Sequence, residues 1–254
     1  MNRDTPELLI ITATYNEAEN LPILASQVMK LGLPANLLVV DDNSPDGTGQ
    51  IADELAQQTS GGVRVLHRSG KLGYASALRE GFALGLQDGY RVIMTMDADL
   101  SHDPTRIPAL YAATEHHDIA IGSRYVPGGG TENWPLSRIV LSRTASALAR
   151  LLTGLPVRDC TGGFRAYRKE IIQKADLLDS STEGYSFLME TLFKCHRIGA
   201  SVCEVPIVFH DRQRGQSKIS KKIIFEAGWV LLKLFWCRLT GKATPSGDAL
   251  HTAE

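Results

Sequence analysis

The sequence predicts an α/β fold: a mainly parallel β-sheet flanked by helices, with an amphipathic helix near the C-terminus. Three observations predict it. Apolar runs of strand length alternate with stretches of helical spacing through the first half of the chain. The connections between them are short. Three of the apolar runs end in acidic residues, and the carboxyl ends of strands are where parallel sheets bind ligands.

In order along the chain, "ELLIITAT" reads as the first strand and residues 18–30 as a helix. "NLLVVDD" is the second strand. "DGTGQIADELAQQ" opens the second helix, with Asp46 or Thr48 available to cap it. "VRVLH", "RVIMTMDA" and "HDIAIGSR" continue the strands, separated by the helical patterns "YASALREGFALGLQ" and "PTRIPALYAAT". Asp103, just before Pro104, is expected to cap the latter. Strand–helix alternation of this kind implies parallel pairing with both faces of the sheet covered.

After Arg124 the pattern changes. "YVPGGGTENWP" reads as a Gly- and Pro-rich loop, a candidate mobile lid. A helix over residues 136–152, the segment "GLPVRDCTGGFRAYRK", a helix over 185–198 and the strand "SVCEVPIVF" follow. The loop "HDRQRGQSKISKK" leads into the apolar helix "IIFEAGWVLLKLFWCRL", and residues 240–254 read as a flexible polar tail.

Of the 254 residues, 43% are hydrophobic and 22% charged, which suits a folded, water-soluble core. Lys and Arg number 27 against 28 acids, so net charge gives no argument for nucleic acid. Cys160, Cys195, Cys203 and Cys237 lack zinc spacing. Without an N-terminal apolar segment, they are expected to be reduced thiols in a cytosolic protein.

The strand ends "TATYNEAENLP", "VVDDNSPDGTG" and "MDADLSHDP" bring Glu17, Asp41, Asp42, Asp97 and Asp99 to one edge. Carboxylates crowded together raise each other's pKa, and a divalent cation relieves the conflict. Asp97 and Asp99 offer hard oxygen ligands of the kind that hold Mg²⁺ or Mn²⁺ together with phosphates. Other readings fail on spacing. An EF-hand starting at Asp97 would have His102 where Gly is needed and Pro108 where Glu is needed. Neither GxGxxG after the first strand nor GxxxxGK[ST] occurs.

"TYNEAENLP", "VVDDNSPDGTG", "MDADLSHDP", "GSRYVPGG", "DCTGGFRAYR" and "DRQRGQSK", in this order, resemble family 2 glycosyltransferases of the GT-A type. Within that group they are most similar to the dolichyl-phosphate (polyprenyl-phosphate) mannosyltransferases, over about residues 8–220. The resemblance implies a GT-A, Rossmann-like catalytic domain over residues 1–239. Its nucleotide-binding half would span about 1–124, its acceptor-binding half about 125–220, and an interfacial helix about 221–239. It implies transfer of mannose from GDP-mannose to a dolichyl or polyprenyl monophosphate, with Mg²⁺ or Mn²⁺ as cofactor.

The same resemblance assigns Thr14, Tyr15, Glu17 and Asp42 to the nucleotide pocket. Asp41 either contacts the donor or ligates a strand-end turn. Lys71 either approaches a phosphate or is a solvated loop lysine. Asp97 and Asp99 are the metal ligands; Ser101 stands where the family often has Gln, as a candidate third ligand. Arg124 and Arg138 would meet the acceptor phosphate, since guanidinium forks match phosphate. Arg143 and Arg165 compete for that role. Arg212, Ser217 and Lys218 match the family's "DRxxGxSK" and would close over the diphosphate, while Lys221 and Lys222 fit contact with anionic lipid. Asp99, Arg212 and Lys218 are the expected catalytic groups. Glu190 is either a base or a buried structural partner.

The last helix, residues 223–239, is interrupted by Glu226, Lys233 and Arg238, which makes spanning costly. Trp229 and Trp236 share one face, which favours a helix lying in the headgroup region; the alternative is a helix packed on the protein core or on another subunit. The expected location is the cytoplasmic face of a membrane, held peripherally, with an anchoring subunit or homo-oligomer compatible with that. The alternatives are a glycosyltransferase using UDP-glucose or another nucleotide sugar on a lipid phosphate or hydroxyl, and a catalytically silent partner module.

Overall fold

The computed structural model of the chain describes residues 7–180, 182, 184–211, 221–242 and 244, leaving out the side chains of residues 185 and 221–225. Seven strands form the main sheet: β1 (Leu8–Thr14), β2 (Ala35–Asp41), β3 (Val63–His67), β4 (Val92–Thr95), β5 (Ile119–Ser123), β7 (Arg165–Arg168) and β8 (Val202–Pro206). Their order is β3-β2-β1-β4-β7-β5-β8. A separate two-stranded parallel ribbon joins β6 (Gly130–Glu132) to β9 (Val208–His210).

β1 lies at the centre of the first half, parallel to β2 on one side and β4 on the other. Leu8, Leu9, Ile10 and Ile11 are all fully buried, so both faces of the strand are covered. Alternation divides them. Leu9 and Ile11 pack with α3 (Tyr74–Gln87), α7 (Gly184–Arg197) and α8 (Lys221–Thr240). Leu8 and Ile10 pack with α1 (Leu21–Met29) and α4 (Ile107–Ala113). α3 sits very close to the sheet because glycine faces it: a Cβ on Gly85 would lie 2.6 Å from Ile93 Cδ1. α2 (Thr48–Gln58) has Gly47, in a left-handed conformation, at its N-cap position rather than Asp46 or Thr48; Asp46 accepts from the Thr48 and Ala18 N–H groups just ahead of the helix. Asp103 accepts from Thr105 N–H at 2.9 Å and so caps the short turn at residues 104–106.

Register decides where the acids fall. Thr14 pairs with Asp41 and Ile11 with Thr95, so the carboxyl ends of β1, β2 and β4 come out together.

The second half departs from the expected parallel pattern. β7, from the segment "DCTGGFRAYR", inserts antiparallel between β4 and β5. Four residues with arginine at both ends carry no strand signature, and Arg165 is wholly buried there. Its guanidinium donates to the carbonyls of Gly162, Leu188 and Cys160 at 2.6–2.9 Å. The stretch read as one strand, "SVCEVPIVF", divides at Ile207 into β8 and β9. β9 leaves the main sheet to pair with β6, so the segment expected to be a lid holds a strand instead. α6 (Lys169–Lys174), which the sequence pattern did not reveal, follows β7, and α5 (Leu136–Thr153) matches its expected span within a residue.

Candidate active site

Beyond the carboxyl ends of β1 and β4 lies a cavity of about 510 Å³. The sheet edge contributes its polar wall: Glu17, Asp97, Asp99, His102 and Arg124. Helices α5, α7 and α8 contribute its apolar wall, including Leu141, Leu148, Leu188, Met189 and Leu231. A carboxylate pair therefore shares one space with a greasy wall.

β4 ends at Thr95, and the two aspartates stand on the loop after it. Leu100 takes a left-handed φ of 61°, a strained choice for leucine, which turns the chain back on Asp99. Asp99 Oδ1 then accepts from both the N–H and the hydroxyl of Ser101, at 3.1 and 2.6 Å. Ser101 is fully buried. Its hydroxyl, expected as a candidate third metal ligand, donates to Asp99 and braces that carboxylate.

Asp97 is braced by residues that the sequence reading missed. Its N–H donates to His102 Nδ1 at 3.1 Å, and Tyr74 donates to its Oδ1 at 3.4 Å. His102 stacks on Phe164 and meets the edge of Phe209. Burial pushes its pKa down, against the upward pull of Asp97 and Asp99. A neutral ring accepting at Nδ1 carries its proton on Nε2.

The other acids of the edge are spoken for within the protein. Asp41 accepts from the Thr14 hydroxyl and from the Ser44 N–H and hydroxyl, which makes it a ligand of the strand-end turn. Asp42 pairs with buried Arg68 and accepts from Gly73 N–H at 3.0 Å. Arg68 also donates to Ser76 and the Gly73 carbonyl, tying the loop before α3 to β2. Lys71 Nζ lies 3.8 Å above the Tyr15 ring. Of the residues expected around the nucleotide, Glu17 and Asp97 line the cavity; Thr14, Tyr15, Asp41, Asp42 and Lys71 lie along the neighbouring strand ends.

Both expected acceptor-site arginines reach the cavity, and both carry ion pairs. Arg124 forks onto buried Asp159 with two 2.7 Å bonds and donates to Thr161 at 2.9 Å. Burial alone would raise the Asp159 pKa, but the Arg124 guanidinium and the hydrogen bonds around it hold it below the usual carboxylate range. Arg138 bonds Asp211 at 2.7 Å and lies 3.9 Å over the Trp134 ring. Its Nε, like the Trp134 indole N–H, is buried and makes no hydrogen bond among the described residues. Arg165 is structural, as described above. Arg143 lies outside the cavity wall, on the far side of α5. Glu190 is buried and accepts from Ser180 and Thr182, anchoring the segment before α7, which fits a structural partner. Arg212, Ser217 and Lys218 lie outside the described residues, as do the side chains of Lys221 and Lys222.

Among the described residues no three His, Cys, Asp or Glu form a metal cage. The donors offered are two carboxylates beside a cavity. That set fits a hard cation such as Mg²⁺ or Mn²⁺, which takes one or two carboxylates and completes its shell with water and phosphate oxygens.

The glycosyl transferase family 2 model matches residues 9–175. The chain belongs to that family. Among curated relatives, the polyprenol monophosphomannose synthase of Mycolicibacterium smegmatis is 46% identical over 226 residues, covering 89% of this chain and 85% of that one. The undecaprenyl-phosphate mannosyltransferase of Micrococcus luteus is 43% identical, covering 87% and 90%. Two solved structures share the fold at low identity. One is the Mycobacterium tuberculosis glucosyl-3-phosphoglycerate synthase with Mn²⁺, UDP and glucosyl-3-phosphoglycerate, at TM-score 0.62 and 17% identity over 94% of this chain and 81% of that one. The other is the Pyrobaculum calidifontis mannosyltransferase with GDP-Man and Mn²⁺, at TM-score 0.58 and 16% identity over 97% and 79%. As a family 2 enzyme, the chain has the mixed, mostly parallel GT-A sheet expected of it.

Proposed function

We propose that this protein transfers mannose from GDP-mannose to a dolichyl or polyprenyl monophosphate, inverting the anomeric centre. The observation that carries the reading is the shared cavity: carboxylates on one wall, apolar side chains of α5, α7 and α8 on the other. A sugar nucleotide suits the first wall and a polyprenyl chain the second. The relatives named above for polyprenol and undecaprenyl phosphate support the same acceptor class and the same sugar.

An acceptor phosphate needs no general base, because its second pKa is about 6 and it is largely dianionic near neutrality. One of its oxygens attacks the anomeric carbon from the face opposite the leaving group. A new carbon–oxygen bond forms as the bond to the β-phosphate of GDP breaks, and GDP leaves with the electron pair. No proton moves, and neutral His102 and buried Glu190 are not called on. In-line displacement turns an α-linked donor into a β-linked mannosyl phosphate.

Asp97 and Asp99 would hold Mg²⁺ or Mn²⁺. The ion, when bound, neutralises charge gathering on the departing diphosphate. Glu17 and the strand-end residues Thr14, Tyr15 and Lys71 would flank the nucleotide, with Asp41 and Asp42 setting the loops that carry them. Arg138 supports the acceptor reading through its buried, unspent Nε, with Trp134 N–H beside it as a second donor. Arg124 adds positive potential at the same wall. Arg212, Ser217 and Lys218 would complete the diphosphate side. The catalytic domain would span residues 1–239, with a nucleotide half to about 124, an acceptor half to about 220 and a tail after 239.

The acceptor's chain lies in a bilayer, so the enzyme must work at one. No described helix is long and apolar enough to cross a membrane. Trp229 and Trp236 on α8 are each 60% exposed on the helix that closes the apolar wall. That supports peripheral attachment, which we assign to the cytoplasmic face, by the protein itself or with an anchoring subunit.

The test is transfer to a purified polyprenyl phosphate from GDP-mannose and, in parallel, from UDP-glucose. Mannose transfer with a β-anomeric product by NMR is expected. Transfer from UDP-glucose alone would overturn the donor, and an α-linked product would overturn inversion.

A further inference from the structure

On the flank of α5 away from the active-site cavity, Tyr125, Arg143, Ala147, Arg150 and Arg158 line a second hollow of about 370 Å³. All three arginines are exposed, and none is in an ion pair among the described residues. The carboxylates nearby are engaged elsewhere. Glu204 accepts from the backbone N–H groups of Arg158 and Asp159 at 2.8 and 2.9 Å, and Asp159 is forked by Arg124. Arg143 sits 5.6 Å from the centre of the Tyr125 ring, which limits its swing. Three guanidinium groups gathered without a counter-charge repel one another; an anion that takes several forks at once relieves this, and phosphate oxygens match the fork.

The position of the hollow on α5 says which phosphate. At 3.6 residues per turn, Arg143, Ala147 and Arg150 share one flank, and Leu141 and Leu148 face the active-site cavity on another. Between the two flanks runs an apolar strip, Val140 at 56% and Leu151 at 74% exposed. Cations bordering an exposed apolar strip meet a lipid at two levels, headgroup and acyl chain.

We propose that Arg143, Arg150 and Arg158 form a binding site for the phosphate of an anionic membrane phospholipid, separate from the acceptor-phosphate site. The proposal rests on the reading that α5 and α8 face a bilayer. It adds that the bilayer is held through a specific headgroup on the far flank of α5. The lipid so bound aligns α5 against the surface with the cavity mouth toward the acceptor.

The experiment measures partition of the full chain onto vesicles of phosphatidylcholine alone and of phosphatidylcholine with about one-third phosphatidylglycerol. Arg150→Gln with Arg158→Gln should weaken binding to the anionic vesicles about 25-fold, two surface cations each contributing about fivefold. Binding to phosphatidylcholine alone and turnover on detergent-dispersed acceptor should not change. Arg150→Lys with Arg158→Lys, keeping the charges but not the planar forks, should lose part of that affinity; undiminished binding would overturn a fork-built site and leave a non-specific basic surface. Equal affinity of wild type and the Gln variant for anionic vesicles would overturn the site. So would glycerol phosphate at millimolar concentration raising the unfolding temperature of wild type alone while vesicle affinities stay equal, which would make it a site for soluble anions. A wild type that binds neither kind of vesicle would instead remove the membrane reading on which the site depends.

Discussion

The carboxyl edge of β1, β2 and β4 and the outer surface of α5 and α8 border the same cavity and are built on opposite terms. At the edge nearly every polar group is bonded to the protein: Asp41 to Thr14 and Ser44, Asp42 to Arg68 and Gly73, Asp99 to Ser101. On the helices, large apolar side chains such as Leu136, Leu151, Trp229 and Trp236 stand in the open. A site for a soluble, highly charged ligand is rigid in advance, since preorganised dipoles need no rearrangement as charge develops. A surface for lipid needs only area and a few cations.

The contrast can be broken most severely at the aspartates. Asp97→Asn and Asp99→Asn should each lower kcat by roughly 10²–10³-fold, in the range expected for loss of one electrostatic stabiliser, while the unfolding midpoint holds. Near-normal turnover in either would remove that residue from the chemistry. Next comes the ion pair behind the cavity. Asp159→Ala removes the carboxylate onto which buried Arg124 forks and should cost about 3–5 kcal/mol in urea unfolding; a loss below 1 kcal/mol would show that the pair contributes little to the fold.

The same pair sets a pH dependence. The folded-state pKa of Asp159 is held below its ordinary value, so its contribution is complete above an unfolded pKa of about 3.9. It fades as pH falls through the lower folded value. Wild type and Asp159→Asn should therefore differ in stability at neutral pH and converge at acid pH. A constant gap down to pH 2 would show that the carboxylate charge is not what matters. Smaller still, Ser101→Ala should cost about 1 kcal/mol, the usual size of one hydrogen bond, with a drop in kcat as Asp99 loosens. The smallest change is on the helices. Trp229→Gln with Trp236→Gln should leave the unfolding midpoint within error yet weaken vesicle binding; a clear drop in stability would mean that these rings pack on protein.

The two regions also differ in how much of them the sequence disclosed. β1, β2 and β4 were legible because both of their faces are buried, leaving uninterrupted apolar runs that stop at acids. Asp97 and Asp99 were legible for the same reason. Their supports were not: Arg68, His102 and Tyr74 reach the edge from other segments, and no local pattern marks a histidine sandwiched between Phe164 and Phe209. β7 was hidden because burial of Arg165 depends on three carbonyls brought together only by the finished fold. β6 and β9 are three residues each, too short to show a period of two. In α5 the helix was visible, but not which flank would carry cations and which would line the cavity.

The insertion of β7 has a consequence for the order in which the molecule can be built. By Thr95 a growing chain already holds β1 to β4, four adjacent strands that can zip together as they emerge. Ile119–Ser123 then has no neighbour until some forty residues later, when Arg165–Arg168 arrives to bridge it to β4. Until that bridge closes, an apolar strand edge waits exposed, and a helper that shields nascent β-edges would have its clearest target there.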